Sequence, residues 1–205
     1  MTEGDAVWPS IPAEDMGAFH QTADRFLNTA NELLGSETPA RVGAAFLYAS
    51  ARFNGFAMQV QLNTQGVDAA TREKLGEVFE AEISEHMLQR LRNEPPGAVT
   101  GRRATGEVLD VLVGLNDLTE ADRSAFLKLG DRFIHIANEL IGTVEILRVS
   151  AAFLHACTRF NAYLLQREGL EPGIRDQDLI ADFRQAYSDL LRFHLDQSLI
   201  ASDGA

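Results

Sequence analysis

The chain has 205 residues, with 18 Lys and Arg against 30 Asp and Glu, so its net charge is −12 with histidine neutral. Such an excess of acid argues against general nucleic-acid binding and against docking on an anionic membrane, since both need a cationic face. The single cysteine, Cys157, excludes an intrachain disulfide and a Cys-based zinc site. The opening Met1-Thr2-Glu3-Gly4-Asp5 is acidic, and no apolar stretch follows it. The longest apolar run, Val42 to Ala49, falls far short of the roughly 20 residues of a membrane span. The expectation is a soluble cytoplasmic protein.

In chain order, a first helix is predicted from about Glu14 to Leu34. On it Phe19, Ala23, Phe26, Ala30 and Leu33 share one stripe, and Gly35 supplies the stop. A second runs from about Pro39 to Leu62, with Pro39 suited to a first helical position. It carries a large apolar stripe, Val42, Phe46, Ala49, Phe53, Phe56 and Val60. On the far side is a smaller one, Ala44, Leu47, Ala51, Gly55 and Met58. A helix apolar on two faces is a central helix with partners on both. A third helix is predicted from about Asp68 to Arg92, where Leu75, Phe79, Ile83 and Met87 recur every four residues. Asn93-Glu94-Pro95-Pro96-Gly97 then breaks the chain. The stretch 107–115 is β-branched, but a lone strand has no pairing partner, so a short helix covering part of the core is expected. Thr119 and Asp122 form a capping pair for the next helix.

From there the chain repeats itself. Asp24-Arg25-Phe26, Asn31-Glu32-Leu33, Ala44-Ala45-Phe46-Leu47 and Arg52-Phe53-Asn54 recur 107 positions on. Their copies are Asp131-Arg132-Phe133, Asn138-Glu139-Leu140, Ala151-Ala152-Phe153-Leu154 and Arg159-Phe160-Asn161. Three further helices follow, at about Thr119–Ile141, Glu145–Glu168 and Asp176–Ile200. The expected organisation is a three-helix repeat over 14–93, a linker with a short helix over 94–118, and a second repeat over 119–201. The fold class is all-α, with the two units packed as an intramolecular pseudo-twofold helical bundle. The small faces bearing Ala51 and Ala162 are expected to lie against the opposite half, with Phe53 and Phe160 almost wholly buried.

The segments DRFLNTANEL and RVGAAFLYASARFNGF, with their copies DRFIHIANEL and RVSAAFLHACTRFNAY, resemble a bacterial family catalogued as domain of unknown function 3144. Each half resembles one whole member. The departures are the duplication, the linker with its extra segment, and Thr158 in place of the Ala before Arg159. The resemblance implies the helical fold and brings no activity, catalytic residue or cofactor with it.

The residues themselves nominate little chemistry. None of the five histidines has a counterpart in the other copy, and the paired Glu-x-x-His motifs of di-iron bundles are missing. Glu82 and His86 are spaced to share a metal, yet the matching positions are Ala186 and Leu190. Cys157 reads as a small packing residue. No metal, cofactor or catalytic residue is therefore assigned, and an enzyme is not expected. Polar residues kept in both copies include Arg41/Arg148, Arg52/Arg159 and Asn54/Asn161, the candidates for a ligand site. Arg52 sits about 80° from the Phe46/Phe53 stripe, a part-buried position that needs a paired charge. By height along an antiparallel hairpin, Asp24 of the same copy is its expected partner, with Glu32 as the alternative; Asp131 or Glu139 plays that role for Arg159. Arg41 and Arg148 open helices, where a cation opposes the dipole and needs an acidic residue or a bound anion beside it. The leading functional reading is a non-enzymatic helical interaction or regulatory module. It would bind a protein partner and exist as a pseudo-symmetric monomer or a homodimer. The alternative is a small-ligand-binding bundle with an arginine-lined pocket.

Overall fold

The structure, a computed structural model, describes residues 11–65, 104–167 and 177–202, with isolated positions between 68 and 85. It is all-α: no strand occurs among the described residues. The helices are α1 (Met16–Leu33), α2 (Pro39–Gln65), α3 (Ala104–Val113), α4 (Glu120–Ile141), α5 (Ile146–Arg167) and α6 (Gln177–Ser202). Short 3₁₀ turns at Ala13–Asp15 and Gly114–Asn116 precede α1 and follow α3. The predicted helix over 68–92, the Glu82/His86 pair and the break at 93–97 fall largely outside the described residues. At the predicted start of that helix, Asp68 Oδ1 accepts the Thr71 amide at 2.9 Å, as an N-cap residue does.

Local signals set the other boundaries. Pro39 opens α2. Thr119 caps α4 by accepting the Asp122 amide at 3.2 Å, while its own hydroxyl donates to the Asp122 carboxylate at 2.6 Å. The stretch expected to be a short helix is one. It starts at Ala104, buries Val108, and packs on α2, α5 and α6.

α2 and α5 sit at the centre, and the way the other helices meet them corrects the hairpin expected from sequence. Within a copy, α1 scarcely touches α2. Instead α1 lies chiefly along α5, and α4 along α2. Each first helix thus covers the central helix of the opposite copy. The apolar stripes explain why: Phe26 stacks on Phe153 at 4.2 Å between ring centroids, and Phe133 stacks on Phe46 at 4.3 Å. Phe53 meets Phe153 at 5.7 Å and Phe160 meets Phe46 at 5.8 Å, again pairing residues of opposite copies. Every one of these contacts has its counterpart under the 107-residue shift. Offset-stacked rings add about 0.5–1.5 kcal/mol to the burial of their area.

The second face of α2 also meets the opposite half, but through α6 rather than through α5. A Cβ added at Gly55 would lie 3.3 Å from His194 Cβ, and Ala51, on the same stripe, is fully buried. α2 also lies close against α5 at Gly43, where an added Cβ would stand 2.7 Å from Asn161 Oδ1 and 3.0 Å from Leu164 Cδ1.

Phe53 is 2% exposed and Phe160 3%. Truncating either to Ala should cost about 3–5 kcal/mol in chemical denaturation. A loss below about 1 kcal/mol would contradict this packing. Ala51→Trp should overpack the α2–α6 contact and lower the melting temperature, whereas an unchanged melt would mean that the face is open.

Candidate functional site

The arginines nominated from sequence are all engaged by acidic groups, and for Arg52, Arg159 and Arg148 the partner lies in the other copy. Arg52 Nη1 lies 3.0 Å from Asp131 Oδ1, and Arg159 Nη1 lies 3.9 Å from Asp24 Oδ1. The expected residue type and helix height hold. The expected copy does not, because α1 and α4 have exchanged central helices. Arg52 is also more open than expected, its side chain 46% exposed. Two more crossed pairs extend the row: Arg25 with Glu139 at 2.6 Å and Arg132 with Glu32 at 3.1 Å. Glu139 is shared with His135 at 3.2 Å. These pairs stitch α1 to α4, α2 to α4 and α5 to α1.

Arg41 and Arg148 meet acid as the dipole argument requires. Arg41 Nε lies 3.5 Å from Glu37, and its Nη2 donates to the Asp122 backbone carbonyl at 3.5 Å. Arg148 pairs with Asp15 at 2.7 Å, and Glu145 stands 4.0 Å away.

Asn54 and Asn161 do not join the arginines; both are buried between helices. Asn54 Nδ2 donates to the Tyr187 hydroxyl at 2.6 Å, and Ser150 Oγ donates to Asn54 Oδ1, which ties α2, α5 and α6 together. Asn161 Nδ2 donates to the Cys157 carbonyl at 3.0 Å, while its Oδ1 lacks a hydrogen-bond partner. The difference is local: the position of Ser150 is occupied by Gly43 in the first copy, so the hydroxyl that would serve Asn161 is missing. Burial drives the Cys157 thiol and the Tyr187 phenol far above their usual ranges, and hydrogen bonds from Asn161 and Asn54 respectively offset only part of that. A thiol so held has little thiolate at neutral pH, in keeping with a packing role.

A cavity of about 290 Å³ opens between the start of α1 and the α4–α5 turn. Asp15, Phe19, Thr22, Thr143, Glu145 and Arg148 contribute to its wall. Of the residues nominated from sequence, only Arg148 reaches it. Nothing in the residues singled out the rest: Phe19 reads as an ordinary member of a core stripe, and Thr22 as one small polar residue beside it. Among the described residues no group of three or more His, Cys, Asp or Glu is arranged to hold a metal ion. No described helix is long and apolar enough to cross a membrane.

Two measurements probe these groups. The Arg52–Asp131 pair is solvent-accessible, so Arg52→Met should destabilise by no more than about 1 kcal/mol, and high salt should shrink the difference. A loss several times larger would place the guanidinium in the core. Burial, helped by the positive charge of Arg52, pushes His194 down to about 4. Its value in the unfolded chain is about 6.5, so between those limits the unfolded chain takes up a proton that the folded one refuses. Stability therefore falls as pH drops from 6.5 towards 4. Thermal melts between pH 7 and 5 should show that decline, with a shallower slope in His194→Leu. Equal slopes in both proteins would refute the assignment.

No curated protein and no solved structure matches the chain. The sequence pattern of one family does so twice, over residues 19–93 and 126–199, which together span most of the chain. The crossed packing above therefore joins two copies of a single family unit, and the chain belongs to the family described as protein of unknown function DUF3144.

Proposed function

We propose that this chain is a non-enzymatic interaction module, in which two family units are fused into the equivalent of a twofold dimer. Residues 14–93 and 119–201 are the two units and 94–118 the tether, folding as one cooperative body. The reading is carried by the reciprocity of the contacts: the two phenylalanine stacks match each other under the same shift, as do the Arg25–Glu139 and Arg132–Glu32 pairs and the Arg52–Asp131 and Arg159–Asp24 pairs. Reciprocal contacts are the mark of an isologous interface. Such a body presents its surface features in pairs. Phe56 and Tyr163 occupy equivalent positions and are 50% and 47% exposed, although Phe53 and Phe160, one turn earlier, are buried. Two rigidly spaced aromatic side chains suit a partner that is itself two-sided, because aromatic residues are enriched where proteins meet.

The alternative, a small-ligand bundle, draws support from one observation, the presence of Arg148 on the cavity wall. The other nominated side chains are spent on ion pairs or buried helix contacts.

The test is affinity purification from the native cell with mass spectrometry of bound proteins and small molecules. Phe56→Asp and Tyr163→Asp should each reduce recovery of a protein partner, and the double variant should lose it, with circular dichroism and melting temperature unchanged. Recovery that ignores both substitutions, or a bound small molecule with no protein, would sink the interaction reading.

A further inference from the structure

We infer that the cavity between the start of α1 and the α4–α5 turn is a binding site for a small organic cation, an ammonium group carried on a compact apolar body. The polarity of the wall argues for it. The Thr22 hydroxyl donates to the Ala18 carbonyl at 2.9 Å, and the Thr143 hydroxyl donates to the Leu140 carbonyl at 3.3 Å. Both protons are committed to backbone oxygens, so each hydroxyl offers the cavity only lone pairs. Asp15 and Glu145 add carboxylates, which are acceptors only. The one charged donor on the wall, Arg148, is held by Asp15 at 2.7 Å, with Glu145 4.0 Å away. Two carboxylates against one guanidinium leave the mouth with a net charge of −1. The net charge of the whole chain, −12, draws cations to it. Ile11, Ala18, Phe19 and Val144 supply apolar wall, and the face of Phe19 is itself attractive to a cation. A ligand that fits must donate hydrogen bonds, carry positive charge and end in hydrocarbon.

The duplication supplies an internal comparison. Under the 107-residue shift, Thr22 becomes Leu129, Phe19 becomes Phe126 and Val144 becomes Glu37. Leu129 and Phe126 are buried core residues, whereas Phe19 is partly exposed. Glu37 is spent on Arg41 at 3.5 Å. The equivalent end thus carries leucine where this end has a hydroxyl, and Phe126 lies in the core rather than on an open wall. Ser36 repeats the Thr143 hydroxyl by donating to the Leu33 carbonyl at 3.4 Å, and Asp122 and Arg41 stand where Asp15 and Arg148 do, so this end is set apart by the Thr22 hydroxyl, the partly exposed Phe19 and Glu145, whose counterpart is Thr38.

The experiment uses the full-length protein at low salt. Isotope-labelled protein is titrated with phenethylammonium and, in parallel, with 3-phenylpropanoate, which matches it in shape and carries the opposite charge. Saturable shifts at Thr22 and Thr143 are expected with the ammonium probe, and affinity at least about tenfold weaker with the carboxylate. Thr22→Leu, which installs the residue of the other copy, should abolish binding at an unchanged melting temperature. Should that variant fail to fold, Glu145→Gln, at an exposed position, must weaken the ammonium probe instead. Asp15→Asn leaves Arg148 with Glu145 alone, 4.0 Å away, and should shift preference towards the carboxylate. Equal binding of both probes, no saturable shift with phenethylammonium, or full binding by folded Thr22→Leu would each overturn the proposal. None of these outcomes depends on Phe56 or Tyr163, so the interaction reading stands or falls separately.

Discussion

The stacking of Phe26 on Phe153, and of Phe133 on Phe46, decides how the rest of the chain is arranged. Each stack draws the first helix of one copy onto the central helix of the other. Once that exchange is made, the described apolar stripes of each copy are covered chiefly by the other. The apolar stripe of α2 is completed by α4, and that of α5 by α1. A single three-helix unit of this size would bury a modest fraction of its surface. Interleaving two of them gives one continuous core in which Phe46 and Phe153 touch at 5.8 Å.

Much of this was legible in the residues. Periodicity placed the described helices, Pro39 and Thr119 marked two of the starts, and the double-faced pattern of 39–62 identified a central helix. Burial of Phe53 and Phe160 followed from the same stripes. What could not be read was which copy each helix serves. Asp24 and Asp131 sit in nearly identical surroundings, so every sequence argument that brings Arg52 to one brings it equally to the other. Height along the helix chose the right side chain, and nothing in a repeated sequence chooses between self and neighbour. In the folded chain α1 scarcely touches α2, and the extra helix α3 occupies part of the surface of α2. The cavity was hidden for a different reason. A threonine in place of a leucine, on an otherwise apolar stripe, reads as a tolerated variant until the space beside it is seen.

The polar features divide by depth. The arginine–carboxylate row is accessible, so it contributes little energy but penalises any register that brings like charges together. The buried Asn54–Ser150–Tyr187 cluster acts more strongly, because a buried amide that loses its partners costs the full price of desolvation. It fixes how α2, α5 and α6 meet, a task that interchangeable apolar side chains perform poorly. The two kinds of contact specify the same crossing from inside and from outside.

Gly43 shows what joining two copies into one chain permits. In an assembly of two identical subunits, a serine-to-glycine change at this position would fall on both crossings at once and orphan two buried amides. Here Ser150 keeps its bond to Asn54 while Gly43 leaves only Asn161 Oδ1 unserved, at about half that penalty. Covalent fusion separates the inheritance of the two halves. One can remain the conservative scaffold while its twin accumulates changes that a symmetric assembly would have to bear twice.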